Sequence, residues 1–390
     1  MLEKRPDYLP FGKPDFTDEE IAAVTRVMKS GWIGMGPETI AFETELSEYI
    51  GAPEVVTVNS CTSALFLALL VEGVGPGDEV IVPSLTWCAT ANAALYLGAT
   101  PVLCDVDPDT MSVTPNTILP LVTSRTKAVI VVHYGGLALN MAELRAALPD
   151  RIALVEDAAH AMGARYPDGT MVGASGNPVC FSFYANKNLS TADGGAVALF
   201  DPEKAERLRS LRMSGLASHA WSRFLKPSSA FSFGIAELGY KMNFTDLQAS
   251  IGRVQLRRLA HMAEVRKQLA DRYASKLAKL HNFIRFQSEA LTLRHARHLL
   301  VAFFELHDIG IDRDELVLAL RAQNIGASVH YGPLHLQPLY CRADAAPLPN
   351  TDLLHRGIVT LPISAAMTME DVDYVCAHLE TILMQKRKTR

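Results

Sequence analysis

The sequence predicts an α/β protein: a large, mostly parallel sheet covered by helices on both faces, followed by a smaller C-terminal α/β domain. Three observations lead there. From Asp78 to Phe200, short apolar runs rich in Val and Ile alternate with helix-like segments, and several of the runs carry no polar alternation, which marks strands buried on both sides. A long amphipathic stretch starts after Asp246 and runs to about Leu280, as expected of a helix leading out of the first unit. At 390 residues the chain exceeds the size at which a single core stops growing. Residues 1–250 are therefore expected to form the large domain, and residues 251–390 the linking helix and the small one.

In chain order, Thr17 with Glu20 fits a capping box that opens a helix, and Gly31 and Gly51 stand where helices close. Strands are expected at Glu79 to Val82, Pro101 to Asp105, Ala128 to Val132, Ile152 to Glu156, Val179 to Phe183 and Ala196 to Phe200. In the linking helix Leu247, Ile251, Val254, Leu256 and Leu259 recur at helical spacing. A strand at Leu299 to Leu306 follows. Asp312 with Glu315 then opens a helix over Arg313 to Asn324 that Gly326 is expected to close. A strand at Ser328 to Tyr331 and a last helix at Met369 to Met384, opened by Thr368 with Asp371, complete the chain.

Composition excludes some partners. With 37 basic and 42 acidic residues spread along the chain, no broad cationic face is available to neutralise a phosphate backbone, so nucleic acid is not an expected partner. Residues 1–14 lack the pattern of a secretory signal, and the longest apolar stretch, Ala64 to Val71, falls short of the roughly 20 residues that span a bilayer. A cytoplasmic protein with no membrane partner is expected. The six cysteines show neither zinc-site spacing nor the framework of a small secreted domain, so they read as reduced thiols and no metal is expected.

Three stretches carry chemistry. Asn59-Ser60-Cys61-Thr62-Ser63-Ala64 opens an apolar helix with small hydroxyl residues, free amides and the positive end of a helix dipole, a combination suited to a phosphate and equally to ordinary N-capping. In Leu154-Val155-Glu156-Asp157-Ala158-Ala159-His160 an apolar strand delivers two carboxylates at its carboxyl end, where the ligand crevice of an open parallel sheet lies. A metal ligand or a plain acidic turn would use the same residues. Phe181 to Asn188 places Lys187 just beyond an apolar strand; it is either a solvated loop lysine or an amine whose charge is removed by forming an imine with an aldehyde.

The order of these stretches, together with Ser30-Gly31-Trp32-Ile33, Gly75 to Val80, Pro83 to Trp87, Val132-His133-Tyr134-Gly135, Glu156 to His160 and Ser182 to Asn188, resembles the DegT/DnrJ/StrS family of pyridoxal-phosphate (PLP) dependent sugar aminotransferases over nearly the whole length. The resemblance implies the type I fold of PLP enzymes. It implies that Lys187 binds PLP as an imine and, once released, shuttles protons, while Asp157 pairs with the pyridine nitrogen. By the same resemblance Trp87 stacks on the cofactor ring, and His160 faces that ring near its phenolic oxygen. Cys61, Thr62, Ser63 and Ser182 hold the phosphate. Cys61 stands where many relatives have glycine, a position needing only its amide.

The resemblance further implies a homodimer with shared active sites, in which Lys241 or Asn243 reaches the phosphate of the neighbouring subunit. Many relatives have asparagine where Lys241 stands. Trp32, His133, His330 and Tyr331 border the sugar site, whereas His335 is read as a packing or surface residue. The implied reaction takes an amino group from glutamate, leaving 2-oxoglutarate, through pyridoxamine phosphate, to a keto sugar on a nucleotide. Trp32 to Pro37, Thr86-Trp87 and Gly239 to Asn243 are most similar to the branch that acts on 4-keto sugars, including 4-keto-arabinose. The product would be an amino sugar for surface polysaccharide, lipopolysaccharide or secondary metabolites. A cyclitol aminotransferase would share these cofactor residues. Sugar dehydratases of the family carry histidine where Lys187 stands, and a non-catalytic regulatory protein would have no need of the intact set. Segments 32–37, 217–233 and 330–340 are expected to shape substrate choice.

Overall fold

The computed structural model describes residues 3–216, 234–289, 294–307, 309–341 and 346–388, with 385–388 described as backbone only. The segment 217–233, expected to shape substrate choice, lies outside the described residues.

The first sheet has seven strands: β1 (Glu54–Val58), β2 (Glu79–Pro83), β3 (Thr100–Cys104), β4 (Thr126–Val132), β5 (Ala153–Asp157), β6 (Val179–Ser182) and β7 (Gly195–Leu199). Their spatial order is β1-β7-β6-β5-β4-β2-β3. The pairs from β3 through β6 are parallel, and β7 runs antiparallel to both β6 and β1. Alternate residues serve opposite faces, as a pleated strand requires. Val55, Ile81, Val129, Val131 and Leu154 join the core on one side, and Val56, Val80, Val82, Ile130 and Val155 that on the other.

Helices α1 (Asp18–Ser30), α2 (Pro37–Ile50), α3 (Cys61–Val71), α4 (Cys88–Tyr96), α5 (Pro115–Ile118), α6 (Met141–Ala147) and α7 (Pro202–Leu211) accompany this sheet, and α8 (Asp246–Leu277) leads away from it. The capping box of Thr17 and Glu20 forms, and Gly31 and Gly51 close α1 and α2 in the left-handed region. A second sheet of β8 (Ile284–Phe286), β9 (Leu300–Phe304) and β10 (Ile358–Leu361) is antiparallel, in the order β10-β9-β8. With α9 (Arg313–Ala322), α11 (Met369–Lys388) and the far half of α8 it encloses a separate apolar cluster, beside which α10 (Pro349–Gly357) runs.

Two expectations fail here. Ser328 to Tyr331 is not a strand: only Ser328 pairs, with Thr360, because His330 and Tyr331 turn inward to the cavity described below. Gly326 does not close α9. That helix ends at Ala322, and Asn324 takes the left-handed conformation, while Gly326 packs so closely on Leu9 that a Cβ would lie 2.5 Å from its carbonyl oxygen. Among the described residues no helix is long and apolar enough to cross a membrane.

Candidate active site

The register of the large sheet puts its chemistry at one edge. Asp157 ends β5, Ser182 ends β6, Val58 ends β1 just before α3, and the reversed β7 begins at that same edge. Gly195 pairs with Val58 on one side and Ser182 on the other. A Cβ there would lie 2.7 Å from Cys61 N, Ser60 C and Phe181 O, so only glycine lets α3 begin this close to Ser182.

Outside these strand ends lies a cavity of about 490 Å³. It is lined by Cys61, Thr62, Trp87, Asp157, His160, Ser182, Lys187, His330 and Tyr331, all expected from sequence, and also by Thr86, Tyr184, Asn186 and Asp193. At one end Ser60 caps α3, taking the Ser63 amide at 3.1 Å, which leaves the amides of Cys61 and Thr62 without helical partners. Burial pushes the Cys61 thiol well above its usual range, so its side chain is a neutral wall.

Asp157 is buried and held by two donors: Thr90 Oγ1 at 2.8 Å on Oδ2 and the Ala159 amide at 3.1 Å on Oδ1. Burial raises its carboxyl above the ordinary value, opposed by Thr90, Ala159 and the charge of Lys187. Burial brings the Lys187 amine down to about 8, with Cys61 and Asp157 pulling the other way. Across the cavity the Gly135 amide donates to His160 Nδ1 at 3.3 Å. That acceptor duty assigns the ring proton to Nε2, which donates to the Tyr331 hydroxyl at 2.9 Å. Burial, and next the charge of Lys187, hold the His160 imidazole neutral. The Tyr331 proton is then free to point into the cavity. His330 Nδ1 meets Thr360 Oγ1 at 2.9 Å, and its carbonyl accepts from the Tyr134 hydroxyl.

Other expected residues lie elsewhere. His133 is fully buried behind the strand edge, its Nε2 donating to Glu156 at 2.8 Å and its Nδ1 accepting the Leu139 amide, so it cannot meet a sugar. Ser63 turns away from the cavity, with its hydroxyl on Asn59 Oδ1 at 2.7 Å. Trp32 donates to the Met35 carbonyl at 3.2 Å and is not among the cavity-lining residues. Lys241 and Asn243 pair with each other outside this chain's cavity. His335 bridges Ser84 at 2.7 Å and Asp352 at 3.0 Å, the packing role read from sequence.

A profile of the DegT/DnrJ/EryC1/StrS aminotransferase family matches residues 14–380. The chain belongs to that family. It is similar to the spore coat polysaccharide biosynthesis protein SpsC of Bacillus subtilis, 40% identical over 389 residues that cover 98% of this chain and 99% of SpsC. Among solved structures, Spr1654 from Streptococcus pneumoniae in its PMP form superposes with a TM-score of 0.90 at 32% identity, covering 97% of this chain and 100% of that one. DesV from S. venezuelae, solved in complex with a ketimine intermediate, superposes at 0.84 with 36% identity over 96% and 99%.

As a member of the DegT/DnrJ/EryC1/StrS family the protein is an aminotransferase, and family membership supports PLP as its cofactor. The cavity fits that group. It offers an amine for the aldehyde, a carboxylate for the ring nitrogen and the two freed amides of α3 beside Ser182 for the phosphate. Asn186 Oδ1, on the cavity wall, is buried and has no protein partner.

Proposed function

We propose that the protein moves the amino group of glutamate to the keto carbon of a sugar carried on a nucleotide, yielding 2-oxoglutarate and an amino sugar for surface polysaccharide, lipopolysaccharide or secondary metabolites. One observation carries this reading: a lysine whose basicity is brought to about 8 shares one cavity with a buried aspartate fixed by Thr90. PLP, when bound, supplies an aldehyde that carries the amino group and a ring that accepts electrons. Asp157 keeps a proton on the ring nitrogen. The Lys187 amine takes a proton from the donor's Cα and later delivers one to the sugar carbon that gains nitrogen, a duty matched to a group that titrates near neutral pH.

The Tyr331 hydroxyl, with its oxygen occupied by His160, donates to a sugar oxygen, as does His330. Trp87 and Tyr184 are each more than half exposed at the cavity; Trp87 is proposed to stack on the cofactor ring, and Tyr184 to offer an aromatic face to a nucleotide base. Glutamate is proposed from the family resemblance. Two copies of the chain are proposed to share their sites, Lys241 and Asn243 facing the phosphate bound by the partner. Residues 1–250 and 251–390 are proposed as the domains that flank the cavity, and the cytoplasm as the place of action.

The test has two parts. Borohydride reduction of the full-length protein with PLP is expected to fix the cofactor on the peptide containing Lys187, and fixation elsewhere or nowhere would overturn the reading. Protein charged with pyridoxamine phosphate is then offered nucleotide-linked keto sugars and free keto cyclitols. Amination of the former, detected by mass, supports the proposal; amination of the cyclitols alone refutes it.

A further inference from the structure

His298 was not marked by any sequence motif, and the cavity chemistry above makes no use of it. The residue is buried just before β9, on a segment tied down from two sides. The Ala296 amide donates to the Gly136 carbonyl at 3.0 Å and the Leu299 amide to Gly135 at 3.1 Å, while Asn188 Nδ2, next to Lys187, donates to the Ala296 carbonyl at 2.7 Å. The His298 ring is thereby placed 4.6 Å from that of His160, and its Nε2 lies 3.4 Å from Lys187 Nζ.

Its other nitrogen, Nδ1, is buried with no hydrogen-bond partner. A phenylalanine would fill the same space without an orphaned polar atom, so packing gives no reason for an imidazole here. The contact to Lys187 does.

We propose that His298 is a positioning residue: its Nε2 accepts a hydrogen bond from the Lys187 amine whenever that amine is not covalently engaged, and so holds it toward the His160 and Tyr331 side of the cavity. The proposal rests on the reading of Lys187 as the reacting amine. The groups around the pair favour this arrangement. Lys187 is faced by Cys61 at the start of α3 and Asp157 on β5; His298 is faced by Lys187, His160, His330 and Arg266 on α8. Burial, together with the charges of Lys187 and Arg266, keeps His298 neutral, so it serves as an acceptor and does not compete with Lys187 for charge. Thr90 and Ala159 each donate to one Asp157 oxygen, and His298 Nε2, at 3.4 Å, is a neutral acceptor within reach of the Lys187 amine.

The consequence is measurable on Lys187 itself. In the cofactor-free, full-length protein the amine is titrated by trace labelling with acetic anhydride, reading the Lys187 peptide by mass spectrometry against pH. The wild-type midpoint is expected near the value of about 8 given by burial. His298→Phe and His298→Leu remove the acceptor that stabilises the ammonium and should lower the midpoint by about one pH unit, a tenfold change in the equilibrium. His298→Gln, whose carbonyl accepts, should keep it within a few tenths. With cofactor loaded, the first two variants should lose kcat with little change in KM and no loss of borohydride-fixable PLP. A midpoint that stays or rises in His298→Phe and His298→Leu, with circular dichroism unchanged, overturns the proposal, as does a His298→Gln variant that behaves like His298→Leu. If PLP is not fixed on Lys187 in any of these proteins, the functional reading has failed instead, and the midpoints still decide whether His298 holds the amine.

Discussion

Thr90 Oγ1 donates to Asp157 Oδ2 at 2.8 Å and in turn takes a hydrogen bond from Thr86 Oγ1 at 2.9 Å. The chain of hydroxyls runs from the loop after β2 through α4 to the end of β5, so it fixes which way the carboxylate faces. An aspartate buried without such donors would take up a proton and lose its charge.

Replacing Thr90 with Val, which keeps the shape and drops the hydroxyl, should therefore raise the Asp157 carboxyl further and slow amino transfer. One hydrogen bond to a charged group predicts a loss of about 10-fold in kcat. Thr90→Ser should recover most of it. Asp157→Asn, which abolishes the charge, should cost about 10²–10³-fold, the scale of one preorganised electrostatic contact. Single-turnover rates with glutamate and bound PLP would separate these losses from weaker cofactor binding.

Gly195 makes a second prediction about the same edge. A Cβ at this position meets three backbone atoms at 2.7 Å, and backbone cannot swing aside as a side chain tip can. Gly195→Ala should push the start of α3 away from Ser182 and spoil the phosphate cradle while Lys187 and Asp157 stay in place. The expected result is a loss of PLP affinity larger than the loss of kcat at saturating cofactor, read by titrating PLP into the cofactor-free protein.

The His160–Tyr331 pair predicts non-additivity. Because Gly135 fixes the imidazole tautomer, His160 orients the Tyr331 hydroxyl only as a donor, and each residue depends on the other. Tyr331→Phe should raise KM for the acceptor sugar about 10-fold, the cost of one lost hydrogen bond in a buried site. His160→Phe should do the same and add a loss in cofactor binding. The double variant should be no worse toward the sugar than His160→Phe alone, whereas full additivity would show that the two act separately.

How much of this was legible in the sequence follows from what kind of signal each residue leaves. Asp157 and Ser182 end short buried apolar strands and Lys187 lies in the loop just beyond the second, and an apolar run that gives way to polar or charged residues is readable in one dimension. The strand β1 was missed because it is a short run of five residues interrupted by Thr57. Side-chain direction was not legible. Ser63 follows Cys61 and Thr62, yet each helical residue turns about 100° from the last, which carries it off the cavity toward Asn59. His133 stands at a strand end just as Asp157 does, but its ring folds beneath the edge to meet Glu156. Thr90 and His298 are single polar residues in or beside apolar elements, and their meaning lies in partners 67 and 111 positions away.

The buried carboxylate beneath the site gives a pH prediction for stability. Burial alone would raise the Glu156 carboxyl, but hydrogen bonds from His133, Ser175 and Tyr166 outweigh it and hold the group below its ordinary value of 4.5. Asn177 Nδ2 adds a further donor at 2.9 Å. A carboxyl depressed in the folded state contributes stability that is present above its unfolded value and lost as pH falls through its folded one. The wild-type protein should therefore begin to lose thermal stability as pH drops below about 4.5, a trend that Glu20, held down to about 2, reinforces at lower pH. Glu156→Gln puts an amide among groups that all donate, leaving one or more of them unsatisfied, and should cost about 3 kcal/mol at pH 7. Its deficit relative to wild type should shrink as pH falls from 5 toward 3, because the wild-type carboxylate is then being protonated. Melting curves of the two proteins across that range test this: a constant gap would mean that the charge of Glu156 does not support the fold, and that the His133 contact is packing alone.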